Sequence, residues 1–256
     1  MSKILPLLLF GFLFAWQCTD RISDPAEAED NTVETVDNLP LNVITPSQFG
    51  DQIQTEEGTF IDALFIDFEV SDVWAIYKIQ NGVREKLSIE LWFDDPLHFI
   101  MFTDKYIDQN QISHYAVYAA IPDDDLQPVQ SIVIAVAAVD DEELIRNHFE
   151  TLQPTQFGEI IATVEGNFIE AFFEAVSAEE VWGIQQTLQQ GTKARINIAR
   201  KLNRHFSYYL KNDSIEDSLG NSLNGIKVGL PYAPLSPIQN IEIFVSKAEN
   251  AATMKE

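Results

Sequence analysis

Two stretches decide the reading of this chain: "PSQFGDQIQTEEGTFIDALFIDFEVSDVWAI" (Pro46 to Ile76) and "PTQFGEIIATVEGNFIEAFFEAVSAEEVWGI" (Pro154 to Ile184). They align without a gap at an offset of 108, with 15 of 31 positions identical. The identities include Phe49/Phe157, Gly50/Gly158, Gly58/Gly166, Phe60/Phe168 and Trp74/Trp182. After one inserted residue the match resumes at offset 109, where "PVQSIVIAV" (Pro128 to Val136) lies over "PIQNIEIFV" (Pro237 to Val245). One unit of roughly 105 residues, the size of a small domain, is therefore written twice.

The paired copies sharpen the periodicity. Ile61, Ala63 and Phe65 correspond to Ile169, Ala171 and Phe173, and between them Asp62 corresponds to Glu170. Apolar and acidic positions alternating with a period of two mark a strand with one wet face. Leu87 and Ile89 match Ile196 and Ile198, alternating with Lys86 against Arg195 and Ser88 against Asn197. Ile132, Ile134 and Val136 match Ile241, Ile243 and Val245 in a closing strand, while Trp74 and Ile76 match Trp182 and Ile184 as inward positions of an early one. "NG" at Asn81 and "QG" at Gln190 are hairpin turns. Only Asp140 to Leu152, between the copies, has helical character, and it reads as a linker.

The "G-x-F-I-x-A-x-F" strand, the "V-W-x-I" strand and the closing "I-x-I-x-V" strand together resemble bacterial immunoglobulin-like or fibronectin-type modules. The resemblance implies an all-β protein of two tandem Ig-like antiparallel β-sandwich domains, each with about six or seven strands and a tryptophan in its core.

The N-terminus supplies an address. Lys3 precedes an apolar run, Ile4 to Trp16, that is shorter than the roughly 20 residues needed to span a bilayer. Cys18, the one cysteine in 256 residues, follows it. The arrangement resembles a bacterial lipoprotein signal peptide, with Ala15 three places before the cysteine and Gln17 where such signals usually carry a small residue. That resemblance implies cleavage before Cys18, acylation of its sulfur and a cell-envelope location at the outer membrane, periplasmic or surface-facing. An ordinary secretory signal with an unrelated cysteine is the other reading. From Thr19 to Leu41 the chain is acidic and poor in large apolar residues, the composition of a flexible tether. The expected organisation is signal peptide 1–17, tether 18–42, repeat 1 43–140, linker 141–152 and repeat 2 153–256.

A formal charge of −24 argues against nucleic-acid binding and against docking on anionic lipid headgroups, both of which draw on Lys and Arg. The chain contains no G-x-S-x-G, H-E-x-x-H, P-loop or G-x-G-x-x-G motif. His98, His114, His148 and His205 lack metal-ligand spacing, and the acidic runs at Asp94, Asp123 and Asp140 lack the spacing of a calcium loop. No catalytic residue, cofactor or metal is expected. One asymmetry points to binding: repeat 2 carries Lys193, Arg195, Arg200, Lys201, Arg204 and Lys211 within nineteen residues, interleaved with Phe206, Tyr208 and Tyr209. Repeat 1 has Asp94, Asp95, Asp104 and Asp108 in that region. A solvated sheet face is one reading. A contact surface for an anionic partner is the other, the partner being repeat 1 itself, a second molecule, an envelope protein or a glycan. The functional expectation is a non-catalytic envelope lipoprotein that presents two modules for protein binding or as a spacer. A glycan-binding lipoprotein using exposed Tyr208 and Tyr209 is the alternative, and a carboxylate-dependent hydrolase is a weaker third.

Overall fold

In the computed structural model, residues 34–35, 38–93, 95–124, 126–201 and 206–247 are described. Cys18 and Arg204 lie outside them, as does the apolar run at the N-terminus. Repeat 1 begins with β1 (Glu34–Thr35), β2 (Leu41–Ile44), β3 (Gln48–Thr55) and β4 (Gly58–Ile66). A 3-10 turn (Val70–Asp72) leads into β5 (Val73–Gln80), β6 (Val83–Lys86), β7 (Ile100–Ile107), β8 (Ser113–Pro122) and β9 (Ser131–Ala137). The helix α1 (Asp141–His148) follows. Repeat 2 then runs through β10 (Phe149–Leu152), β11 (Gln156–Thr163), β12 (Gly166–Glu174), a second 3-10 turn (Ala178–Glu180) and β13 (Val181–Leu188). It closes with β14 (Lys193–Arg195), β15 (Tyr209–Glu216), β16 (Ser222–Pro231) and β17 (Ile238–Ser246).

The strands form four antiparallel sheets with orders β1-β2-β9-β5-β6 (sheet I), β3-β4-β8-β7 (sheet II), β11-β12-β16-β15 (sheet III) and β10-β17-β13-β14 (sheet IV). The all-β expectation is met, but the sheets are arranged as a four-bladed β-propeller and not as two Ig-like sandwiches. The physical reason lies in the core. A single apolar cluster takes Phe65, Ile76, Phe99, Met101 and Ile134 from repeat 1 and Phe173, Ile184, Tyr208, Leu210 and Ile243 from repeat 2. A sandwich domain would close its own core. Neither repeat does so here, and the described residues belong to one compact unit. Leu39 and Leu41 are already buried, at 2% and 0% exposure, so the folded body begins within the stretch expected to be tether.

The duplication extends to backbone irregularities. The β3–β4 register slips between Phe49 and Asp51, and the β11–β12 register slips between Phe157 and Glu159. The residues between them, Gly50 and Gly158, have φ of 107° and 104°, a region that only glycine enters without strain. A second matched bulge sits between Val73 and Ala75 and between Val181 and Gly183. It reverses the side-chain parity at the tryptophan. Ile76 faces the central cluster, but Trp74 points to the opposite face of sheet I, into a second cluster with Ala75, Tyr77, Phe149, Trp182 and Phe244. Strict alternation placed Trp74 and Ile76 on one side; the extra residue separates them. The expected linker also resolves into two elements, since α1 stops at His148 and Phe149 starts a strand paired to β17. Asp140 caps α1 by accepting a hydrogen bond from the Glu143 N–H at 2.8 Å.

Sheet III shows how the copies have diverged in packing. Tyr209 is fully buried, and its ring occupies the space a side chain at residue 229 would need: a Cβ on Gly229 would lie 2.0 Å from Tyr209 Cε1. The equivalent pair in repeat 1 is Ile100 with Ala120, a smaller side chain beside a larger residue. We expect Gly229→Ala to destabilise the fold by about 1–3 kcal/mol or more through overpacking against the ring. Urea unfolding measures this, and Gly229→Ala combined with Tyr209→Ile should recover most of the loss.

Candidate functional site

Of the cations singled out in the sequence, Arg195, Arg200, Lys201 and Lys211 reach residues of repeat 1. Arg195, at the end of β14, lays its guanidinium over Trp74 at 4.2 Å from the ring centroid. Its Nη1 donates to the Val73 carbonyl at 3.1 Å, its Nη2 to the Ser71 carbonyl, and its Nε to the Asp141 carboxylate at 2.8 Å. Asp141 also accepts from the Trp74 indole N–H at 3.0 Å, so the first residue of α1 ties together both partners. The pseudo-equivalent contact runs the other way. Lys86, at the end of β6, places its ammonium 4.2 Å from the Trp182 ring and donates to the Val181 carbonyl at 3.1 Å. Each tryptophan of the repeat is therefore a cation platform for the other copy.

The connections that follow β6 and β14 continue the exchange. Leu91 leaves sheet I and pairs with Leu210 of β15, with N–H to carbonyl distances of 2.7 and 3.0 Å. Arg200, the counterpart of Leu91, pairs with Met101 of β7 at 2.6 and 2.7 Å. Beyond Leu91, Trp92 and Phe93 lie against Tyr209 with centroids 5.1 and 5.4 Å away, and Phe93 also meets Phe168 and Phe206. Lys211 reaches over Trp92 at 3.8 Å, and Lys201 over Phe102 at 4.3 Å. Tyr208 donates its hydroxyl to the Ile89 carbonyl at 3.1 Å, and the Glu90 carboxylate accepts from the Asn212 backbone N–H at 3.1 Å.

Arg200 is 4% exposed, with its guanidinium above Phe99 at 4.7 Å and Nη2 donating to the Glu90 carbonyl. Nε and Nη1 have no hydrogen-bond partner among the described residues, and burial lowers its pKa from the ordinary arginine value. Lys193 is turned within its own repeat, 2.8 Å from the buried Glu242. Tyr208 and Tyr209 are both fully buried, which corrects their expected exposure and removes them as glycan platforms. The Tyr209 hydroxyl donates to Glu170 at 2.5 Å, and Lys227 bridges Glu170 and Asp213 at 3.4 and 3.3 Å. Arg195, Arg200, Lys201 and Lys211 are thus turned toward rings and carbonyls of repeat 1, while Lys193 stays within repeat 2. Sequence reasoning missed Trp92, Phe93 and Glu90. The clue to the tryptophan sites was present in the paired copies, where Lys86 matches Arg195 and Trp74 matches Trp182.

A shallow groove of about 590 Å³ is lined by Ser177, Glu180, Asn212, Asp213, Ser214 and Asn224, beside the second 3-10 turn. In repeat 1, His114 sits between Asp67 (3.1 Å) and Asp108 (3.6 Å), whose carboxylates raise its pKa against a smaller opposing effect of burial. Repeat 2 has Ala175 and Leu223 in place of Asp67 and His114. Among the described residues, no group of three or more His, Cys, Asp or Glu is placed to hold a metal ion, and no helix is long and apolar enough to cross a membrane. No protein-family model, curated protein or solved structure matches the chain.

Lys86 makes the interface sensitive to pH. Burial lowers its ammonium from 10.5 to about 8, with Glu179 and Glu180 opposing. The unfolded chain holds that proton up to about its ordinary value, so between pH 8 and 10.5 the unfolded state binds more protons than the folded one. Stability of the native protein relative to Lys86→Met should therefore rise with pH across that window and stay flat below it. Denaturant midpoints of the two proteins at stepped pH check the sign; a falling difference would contradict the buried placement.

Proposed function

We propose that this chain is a non-catalytic cell-envelope lipoprotein, anchored through lipid on Cys18, that presents its duplicated β body for protein binding or as a spacer. The observation that carries the reading is the order of the N-terminal segments: Lys3, the apolar run Ile4 to Trp16, the lone Cys18 and the acidic stretch after it. The architecture is compatible with such a role. A formal charge of −24 makes the protein strongly acidic, suited to remaining dissolved beside an anionic membrane surface. A second reading, glycan binding, is favoured by the open groove at Ser177, Asn212, Ser214 and Asn224, whose amide and hydroxyl groups match sugar hydroxyls in kind.

Metabolic labelling with an alkynyl fatty acid tests the anchor. The wild-type protein should take up label and fractionate with membranes, and Cys18→Ala should lose both; unlabelled wild type, or labelled Cys18→Ala, contradicts the anchor. A glycan array probed with the wild type and with Ser214→Trp tests the second reading, which requires retention that the groove-filling variant loses.

A further inference from the structure

The outer faces of sheets II and III keep the same acids but differ in their cations. Ile61, Ala63, Met101, Val117 and Ala119 point into the central cluster, so Asp62, Phe102 and Tyr118, which alternate with them, face the other way. On the matching face of sheet III, Lys227 places its ammonium 3.4 Å from Glu170 and 3.3 Å from Asp213, and Lys211 reaches Asp213 at 3.2 Å. Beside Lys227 lies a hollow of about 150 Å³ that Glu159 and Ile215 also line. The duplication carries Glu159, Glu170 and Asp213 onto Asp51, Asp62 and Asp104, so all three positions hold a carboxylate in both copies. It carries Lys211 and Lys227 onto Phe102 and Tyr118, whose rings stack with centroids 5.4 Å apart and 14° between their planes. Two ammonium groups are thus replaced by two aromatic rings among a retained set of acids.

The acids of sheet II are short of charge partners. Asp51 accepts from the Gln48 side chain at 3.2 Å, Asp104 from the Lys105 backbone N–H at 2.8 Å, and Asp62 from the Asp51 backbone N–H. Among the described residues, no ion pair reaches any of the three. Burial raises the Asp62 carboxyl to about 6, and Asp51 opposite it adds to the rise. The Tyr118 hydroxyl is raised first by burial and then by Asp104 and Asp62, which sets both carboxylates beside it. Asp51 and Asp104 are exposed and Asp62 and Tyr118 half-buried, so the face is open to solvent at its rim. Lys201 already lies over Phe102 at 4.3 Å, so this ring seats an ammonium in the structure. The carboxylates are not gathered to hold a metal ion, and rings beside acids suit an organic cation. We propose that the outer face of sheet II binds a small primary alkylammonium, with its charge at Asp62 and Asp104, where Lys227 stands in the other copy, and its carbon chain along Tyr118 and Phe102.

An NMR titration of the full chain with n-butylammonium chloride, against sodium chloride at equal ionic strength, tests this. The amine should shift the backbone amides of Asp62, Asp104 and Tyr118 saturably and leave those of Glu170, Asp213 and Lys227 in place. Asp62→Asn should weaken binding about tenfold, and Tyr118→Lys, which supplies the ammonium from within the chain, should weaken it at least as much. Tyr118→Lys should also pull the Asp62 carboxyl down from about 6, read from its carboxyl carbon shift against pH. Either variant decides alone if the other fails to fold. Equal shifts from sodium, shifts spread equally over sheet III, or an unchanged affinity in a folded variant would overturn the proposal.

Discussion

The structure depends on one constraint: the chain between β6 and β7, and likewise between β14 and β15, does not return to the sheet it leaves. After Lys86 the segment carrying Leu91, Trp92 and Phe93 crosses to sheet III, and after Arg195 the segment carrying Arg200 and Lys201 crosses to sheet II. Backbone pairing at Leu91–Leu210 and Arg200–Met101 fixes the crossings, because a buried N–H or carbonyl left unpaired there is costly. Once the crossings are made, the central cluster must be shared, since Phe99 and Met101 from repeat 1 lie among Tyr208 and Leu210 from repeat 2. The propeller arrangement of the four sheets follows from this sharing, as does the loss of any separable sandwich.

Charged groups at the interface act chiefly by fixing orientation. A cation over an aromatic ring contributes about 0.5–2 kcal/mol, little against the apolar area of the shared core. Burying the cations opposes that gain: Lys86 is pulled down to about 8 and Arg200 is lowered as well, both first by desolvation. These groups are therefore poor choices for raw stability and good ones for orientation. Lys86 and Arg195 fix the tryptophan faces, Asp141 locks one of them to α1, and Lys201 and Lys211 cover Phe102 and Trp92.

Much of this was legible in the sequence. The offsets of 108 and 109 gave the repeat, the alternation at Ile61/Ala63/Phe65 gave the strands, and both hairpin turns appear with positive φ at Asn81 and Gln190. The misreadings have physical causes. The bulge at Trp74 adds one residue and inverts parity, which a period of two cannot register. A strand list also says nothing of which sheet a strand joins, so segments 87–99 and 196–208 were placed in their own module. Tyr208 and Tyr209 read as exposed because they lie among cations in the sequence, but both rings are buried.

The central claim is that the two repeats are one cooperative body held by reciprocal crossings. Native-state hydrogen exchange on β8 and β16, the inner strands of sheets II and III, tests it most directly. The account predicts that amides such as Val117 and Val228 open only with global unfolding and share one free energy and one denaturant dependence. Two distinct unfolding free energies, with one repeat remaining protected while the other exchanges, would contradict it.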